Sequence, residues 1–208
     1  MKLNKLKANK GFSLVEIIIV AGIAGLLATV AVSGFISAGR RGRDAKRVAD
    51  MLEIQNALQL YFSNNDVYPN ETMAGSGLAG WEISYEPDFM EYLRPYLPRV
   101  PTDPLNFGPP TDMFATRPDG TYFYNYHRYD PTPAIPDPGA FYGCSWSGTF
   151  AVLGFRSAEF GDKSKLPKAQ CGPMPCPGGG IPNVCRDWSN EFDYSVFLVP
   201  GRILTPPL

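Results

Sequence analysis

Between Ile17 and Gly39 the chain carries 23 consecutive residues without a charge, and a single carboxylate, Glu16, stands directly before them. As an α-helix such a run is about 35 Å long, enough to cross the hydrocarbon layer of a bilayer. No proline occurs before Pro69, although the chain has 21. The first third can therefore be one continuous helix, and the proline-rich remainder cannot. Basic residues flank the run, with Lys2, Lys5, Lys7 and Lys10 before it and Arg40, Arg41, Arg43, Lys46 and Arg47 after it.

Residues 1–11 have the composition of a targeting n-region, basic and free of acids. A secretory signal would end in a small-residue cleavage site, and none closes the run before Arg40. The plain reading is a signal anchor with its N-terminus in the cytoplasm. Charge alone does not orient it, because both flanks are basic. The acidic excess and the cysteines of the C-terminal half favour placing that half outside the cytoplasm. The formal net charge of −1 gives no electrostatic reason to expect nucleic acid as a partner.

A signal anchor leaves Glu16 unexplained. A carboxylate deep in a membrane costs about 2.5–3.5 kcal/mol on insertion scales and normally has a partner. The helix dipole lowers that cost near an N-terminus. A free α-amino group on Phe12, one turn before Glu16, would supply the missing counter-charge. That requires the chain to be cut between Gly11 and Phe12, ahead of the apolar run.

The stretch Lys10-Gly11-Phe12-Ser13-Leu14-Val15-Glu16 resembles the processing site of type IV pilins and type II secretion pseudopilins. The resemblance is strong over residues 7–69 and loose beyond. It implies that a prepilin peptidase cleaves after Gly11 and that Phe12 becomes an N-methylated N-terminus. It also implies that Glu16 pairs with the N-terminus of a neighbouring subunit during filament assembly. Methylation keeps the amine charged, so the pairing survives it. Cleavage removes four lysines and no acid, which moves the formal charge from −1 to −5. Many members carry a proline in mid-span, whereas this chain reads Val32-Ser33-Gly34. Tyr61 to Pro69 resembles the helix exit of G-like pseudopilins, and Leu97 to Pro104 their following loop.

Beyond the basic collar, Val48, Met51, Ile54, Leu58, Tyr61 and Phe62 recur at helical spacing. Lys46, Asp50, Glu53, Gln55, Asn56 and Gln59 form the opposite, polar face. A helix from Phe12 to about Asn64 is expected, about 80 Å long. A short helix is expected from Pro87 to Leu93. Strands are expected at Thr121–Arg128, Thr149–Phe155 and Tyr194–Val199. The expected fold is α+β: the long helix packed against a small antiparallel sheet of three or four strands, one face buried and the other wet. The expected organisation is a leader at 1–11, a membrane and filament-core half-helix at 12–39, an amphipathic half at 40–64, and a globular head at 65–208.

The four cysteines, Cys144, Cys171, Cys176 and Cys185, lie in the head. In an oxidising location disulfides are the default, with three possible pairings. Zinc fits poorly, since the spacing lacks C-x2-C knuckles and His127 is the sole histidine. Asp187, Asn190, Glu191 and Asp193 bring oxygen donors together as calcium would need, but not at EF-hand spacing. Gly143-Cys144-Ser145-Trp146-Ser147 nearly matches a nucleophile elbow, yet the last glycine is Ser147. No metal, cofactor or enzymatic activity is expected.

The resulting expectation is a structural prepilin of a type IV pilus or pilus-like filament. It would sit in the bacterial inner membrane through residues 12–39 before polymerising with other subunits through the assembly machinery. A secretion or competence pseudopilin is the near alternative. A membrane-anchored binding module that never polymerises is the distant one.

Overall fold

The computed structural model describes residues 11–71, 80–107, 121–171 and 188–204. The chain divides into two compact units, residues 1–40 and 41–208. Helix α1, Leu14–Asn65, contributes to both. It ends where Asp66 takes a left-handed conformation (φ 57°) and its N–H donates to the Phe62 carbonyl at 2.7 Å. A left-handed residue past the last turn satisfies a carbonyl that the helix cannot, and Pro69 prevents any resumption.

In the first unit α1 is apolar and exposed: Leu14, Ile17, Val20, Leu26 and Phe35 all present most of their surface. The helix is long and apolar enough to cross a membrane.

In the second unit α1 is amphipathic as its spacing predicts. Met51, Ile54 and Leu58 are fully buried, and Val48, Tyr61 and Phe62 pack beside them. Each fully buried side chain of this size stabilises the fold by about 2 kcal/mol. The expected polar face needs correction. Asp50 and Gln55 are buried, Asp50 accepting from Lys46 Nζ and the Tyr124 hydroxyl, Gln55 donating to the Tyr194 hydroxyl. Lys46 lies one turn back on α1, but the two tyrosine hydroxyls arrive from the sheet, which a helical wheel does not contain.

The sheet is an antiparallel meander of five strands in chain order: β1 Glu82–Ile83, β2 Tyr124–Tyr129, β3 Phe150–Phe155, β4 Tyr194–Val199 and β5 Arg202–Leu204. The three expected strands form its middle, and two short edge strands extend it. Tyr126 faces Leu153, and Leu153 faces Val196, across β2–β3–β4. With a period of two, Tyr124, Tyr126, Ala151, Leu153, Phe155, Val196 and Leu198 join the core beneath α1. The segment expected to be helical from Pro87 condenses to a 3₁₀ turn at Glu91–Leu93, entered through Met90 at φ 48°.

The other face of the sheet is not wet. Tyr129, Phe150, Val152, Phe197 and Val199 are buried beneath a second cluster containing Trp81, Tyr142, Trp188 and Phe192, with Trp146 against it. These covering side chains come from connections and from two one-turn helices, α2 Pro138–Phe141 and α3 Trp188–Glu191. The Cys144–Cys171 disulfide staples this layer, with the Cα atoms 4.5 Å apart. Cys176 and Cys185 lie outside the described residues. The head is thus a three-layer structure of helix, sheet and aromatic loops.

Candidate assembly site

Gly11, Phe12 and Ser13 precede the first turn of α1. The Ser13 N–H donates to Glu16 Oε2 at 2.8 Å, and the Glu16 N–H donates to Ser13 Oγ at 3.2 Å. This reciprocal pair is a capping box, which satisfies two of the four N–H groups that a helix start leaves open. The spacing of Ser13 to Glu16 is the S-x-x-E signature of a helix start, a signal of hydrogen bonding that the charge pattern does not contain. Phe12 is 84% exposed. A Cβ built on Gly11 meets no atom within 4 Å, so crowding within the chain does not require glycine there.

The basic collar is partly interior. The Arg47 side chain is fully enclosed and donates to Asp103, to Asp44 and to Glu159. Arg43 adds a two-pronged contact to Glu159, at 2.7 and 2.5 Å. The Asp44 carboxylate accepts the backbone N–H groups of Glu159 and Phe160. Burial acts to lower the pKa of Arg47, but the hydrogen bonds to Asp103, Asp44 and Glu159 outweigh it and raise it above its ordinary value. The hydrogen bond from Arg43 holds Glu159 below the usual carboxylate range, with Arg47 adding to it against burial. Two loops, one around Asp103 and one at 158–160, are thereby tied to one turn of α1.

The remaining candidates take structural roles. His127 Nδ1 lies 2.8 Å from Glu71 Oε1 and 3.2 Å from the Gly80 carbonyl, and its ring stacks on Trp81. Cys144 of the near nucleophile elbow is in the disulfide, and Trp146 packs on Phe150 and Phe197. Asp193 is buried, accepting from Lys163 Nζ and the Ala158 N–H, both at 2.8 Å. The Glu191 carbonyl accepts from Arg156. Asp187 lies outside the described residues, as does the Asn190 side chain. Among the described residues no group of three or more His, Cys, Asp and Glu side chains is placed to hold a metal ion.

Residues 6–32 match the family described as the prokaryotic N-terminal methylation motif, a segment containing Gly11, Phe12 and Glu16. The chain is 30% identical over 103 residues to type II secretion system core protein G of Vibrio cholerae, covering 49% of this chain and 69% of that protein. It is 31% identical over 121 residues to the core protein G of Pectobacterium carotovorum, covering 53% and 77%. This chain belongs to the type II secretion pseudopilin and type IV pilin family. A type IV major pilin protein of Myxococcus xanthus is 33% identical over 60 residues, covering 29% of this chain and 27% of the pilin. No solved structure matches the chain significantly. The fold is α+β, a long helix with an antiparallel sheet, and the aromatic outer layer is built on that frame.

Proposed function

We propose that this chain is a structural, non-enzymatic subunit of a pilus-like filament, cleaved after Gly11 and assembled through α1. The observation that carries the proposal is the first unit itself. It is an unpartnered helix with exposed apolar side chains from Phe12 to Ile36 and one carboxylate at its start. Lipid satisfies that surface in the precursor, through residues 12–39 and with the head outside the cytoplasm. A bundle of identical helices satisfies it in the filament. Glycine at 11, where a Cβ would meet none of the described residues within 4 Å, suits recognition by a prepilin peptidase. The capping box employs one oxygen of Glu16. The second is then available to the charged, methylated Phe12 amine of a neighbouring copy.

Broader coverage of the core G proteins, 69% and 77% of their lengths against 27% of the pilin, favours a secretion filament over a surface pilus. N-terminal sequencing of the processed protein is expected to begin at Phe12 with a methylated residue. Glu16→Val is expected to leave cleavage intact and abolish filaments. Filaments of normal yield from that variant would overturn the assembly role, and a start at any other residue would overturn the processing role. Deleting the gene and comparing exoprotein secretion with surface piliation separates the two filament types.

A further inference from the structure

The loop 158–165 carries an exposed aromatic ring and exposed lysines, yet it is clamped to the first turns of α1 that follow the uncharged run. Arg41 is the second residue after that run. Asp44, three residues or about 4.5 Å further along the helix, holds the amides of Glu159 and Phe160. The headgroup layer on each side of a bilayer is about 5–7 Å deep. Asp44 is five residues past the end of the uncharged run, so the chain connection alone keeps the amides it holds next to that boundary. Its Phe160 ring is 37% exposed, and the Arg41 guanidinium stacks on it at 4.3 Å. Lys165 is 81% exposed and Lys163 45%, both on the same short turn. The acids nearby are largely committed. Glu159 is held by Arg43 and Arg47, Asp193 is buried against Lys163, and Asp162 accepts from the Ser164 amide and hydroxyl while facing Lys165 at 3.9 Å.

We propose that this loop is a membrane foot: in the unassembled subunit Phe160 sits among the headgroups, and Arg41 and Lys165 contact the phosphates of anionic lipids. An aromatic ring at the water–hydrocarbon boundary and basic side chains over an anionic surface are the two devices by which soluble segments hold to a bilayer. The clamp makes the foot specific to the precursor, because a subunit drawn into a filament leaves the bilayer and loses both contacts. The inference rests on the reading of residues 12–39 as a membrane segment.

The test uses the full chain in lipid nanodiscs, either neutral phosphatidylcholine or a mixture with anionic phosphatidylglycerol, and follows amide exchange across residues 160–166. Exchange is expected to slow in the anionic discs by about fivefold for each basic contact made, and to recover at high salt. Arg41→Gln combined with Lys165→Gln is expected to abolish the difference. Arg41→Lys with Lys165→Arg is expected to keep it. Equal exchange in neutral and anionic discs overturns the foot. Slowing that appears in detergent and grows with protein concentration also overturns it, by assigning the surface to a second copy. A chain that fails to copurify with discs of either kind would instead refute the membrane reading.

Discussion

Arg47 donates two hydrogen bonds to the Asp103 carboxylate, at 2.7 and 3.0 Å, and both side chains are closed to solvent. An enclosed ion pair contributes little net stability, because desolvation offsets the attraction, but removing one partner leaves the other charge uncompensated. Asp103→Ala leaves Arg47 its contacts to Asp44 and Glu159 but strands its Nε and Nη2 donors, and is therefore expected to destabilise the head by about 1–3 kcal/mol. Arg47→Met is expected to cost more than the Asp103 change, because it also strips Asp44 and Glu159 of a donor. Chemical unfolding of the two variants measures the difference, and a single variant as stable as the parent would contradict it.

The same clamp sets a pH dependence. Glu159 is held below the usual carboxylate range first by its hydrogen bond from Arg43. A carboxyl whose folded pKa is depressed contributes stability above its unfolded value, about 4.3, and loses it as pH falls through the folded value. The denaturant midpoint is therefore expected to be flat near neutrality and to fall below about pH 4. Glu159→Gln is expected to lower the midpoint at pH 7 and to shallow the acid decline. An acid limb of unchanged steepness in that variant would assign the pH dependence elsewhere.

The periodic parts of this chain were legible and the convergent parts were not. Val48 to Phe62 show their face through spacing alone, and β2, β3 and β4 follow from aromatic and β-branched runs. Asp50 and Gln55 look like solvent-facing residues until Tyr124 and Tyr194 are set beside them from distant sequence. Likewise Trp81 and Tyr142 lie in glycine- and proline-rich connections and Trp188 in a one-turn helix, whose geometry no period encodes, so the covered outer face could not be anticipated. At the N-terminus an acid that needs a counter-charge singles out Gly11, Phe12 and Glu16 as candidates. Ser13 carried an equally local signal, the S-x-x-E spacing, of hydrogen bonding and not of charge.

Gly154 occupies a place in β3 where a side chain has no room. A Cβ there would stand 2.3 Å from the Tyr194 carbonyl oxygen and 3.2 Å from Ser195 Cα, both backbone atoms of β4. Backbone within a hydrogen-bonded ladder cannot step aside without breaking the pairing of Gly154 with Ser195. Gly154→Ala is expected to cost about 1–3 kcal/mol or more, as overpacking does. A lower melting temperature with intact α1 helicity by circular dichroism would place the damage in the sheet. Unchanged melting would show that the strands have slack.

The Cys144–Cys171 disulfide closes a loop with a sequence separation of 27 residues and pins the connection before β3 to the one after it. That second connection also runs along β4, where the Ser195 N–H donates to the Pro167 carbonyl and the Ala169 N–H to the Ser195 carbonyl, both at 2.9 Å. Cutting the bridge frees the unfolded chain, a cost of about 3.5 kcal/mol from loop entropy. It also loosens the lid over Trp188 and Phe150. Cys144→Ser is expected to lower the melting temperature of the head and to raise the exposure of its tryptophans, read as a red shift of their emission. Reductant should reproduce the shift in the parent and add nothing in the variant if this bridge alone governs the outer layer. A further shift in the variant would instead identify a second bridge, between Cys176 and Cys185, holding the same face.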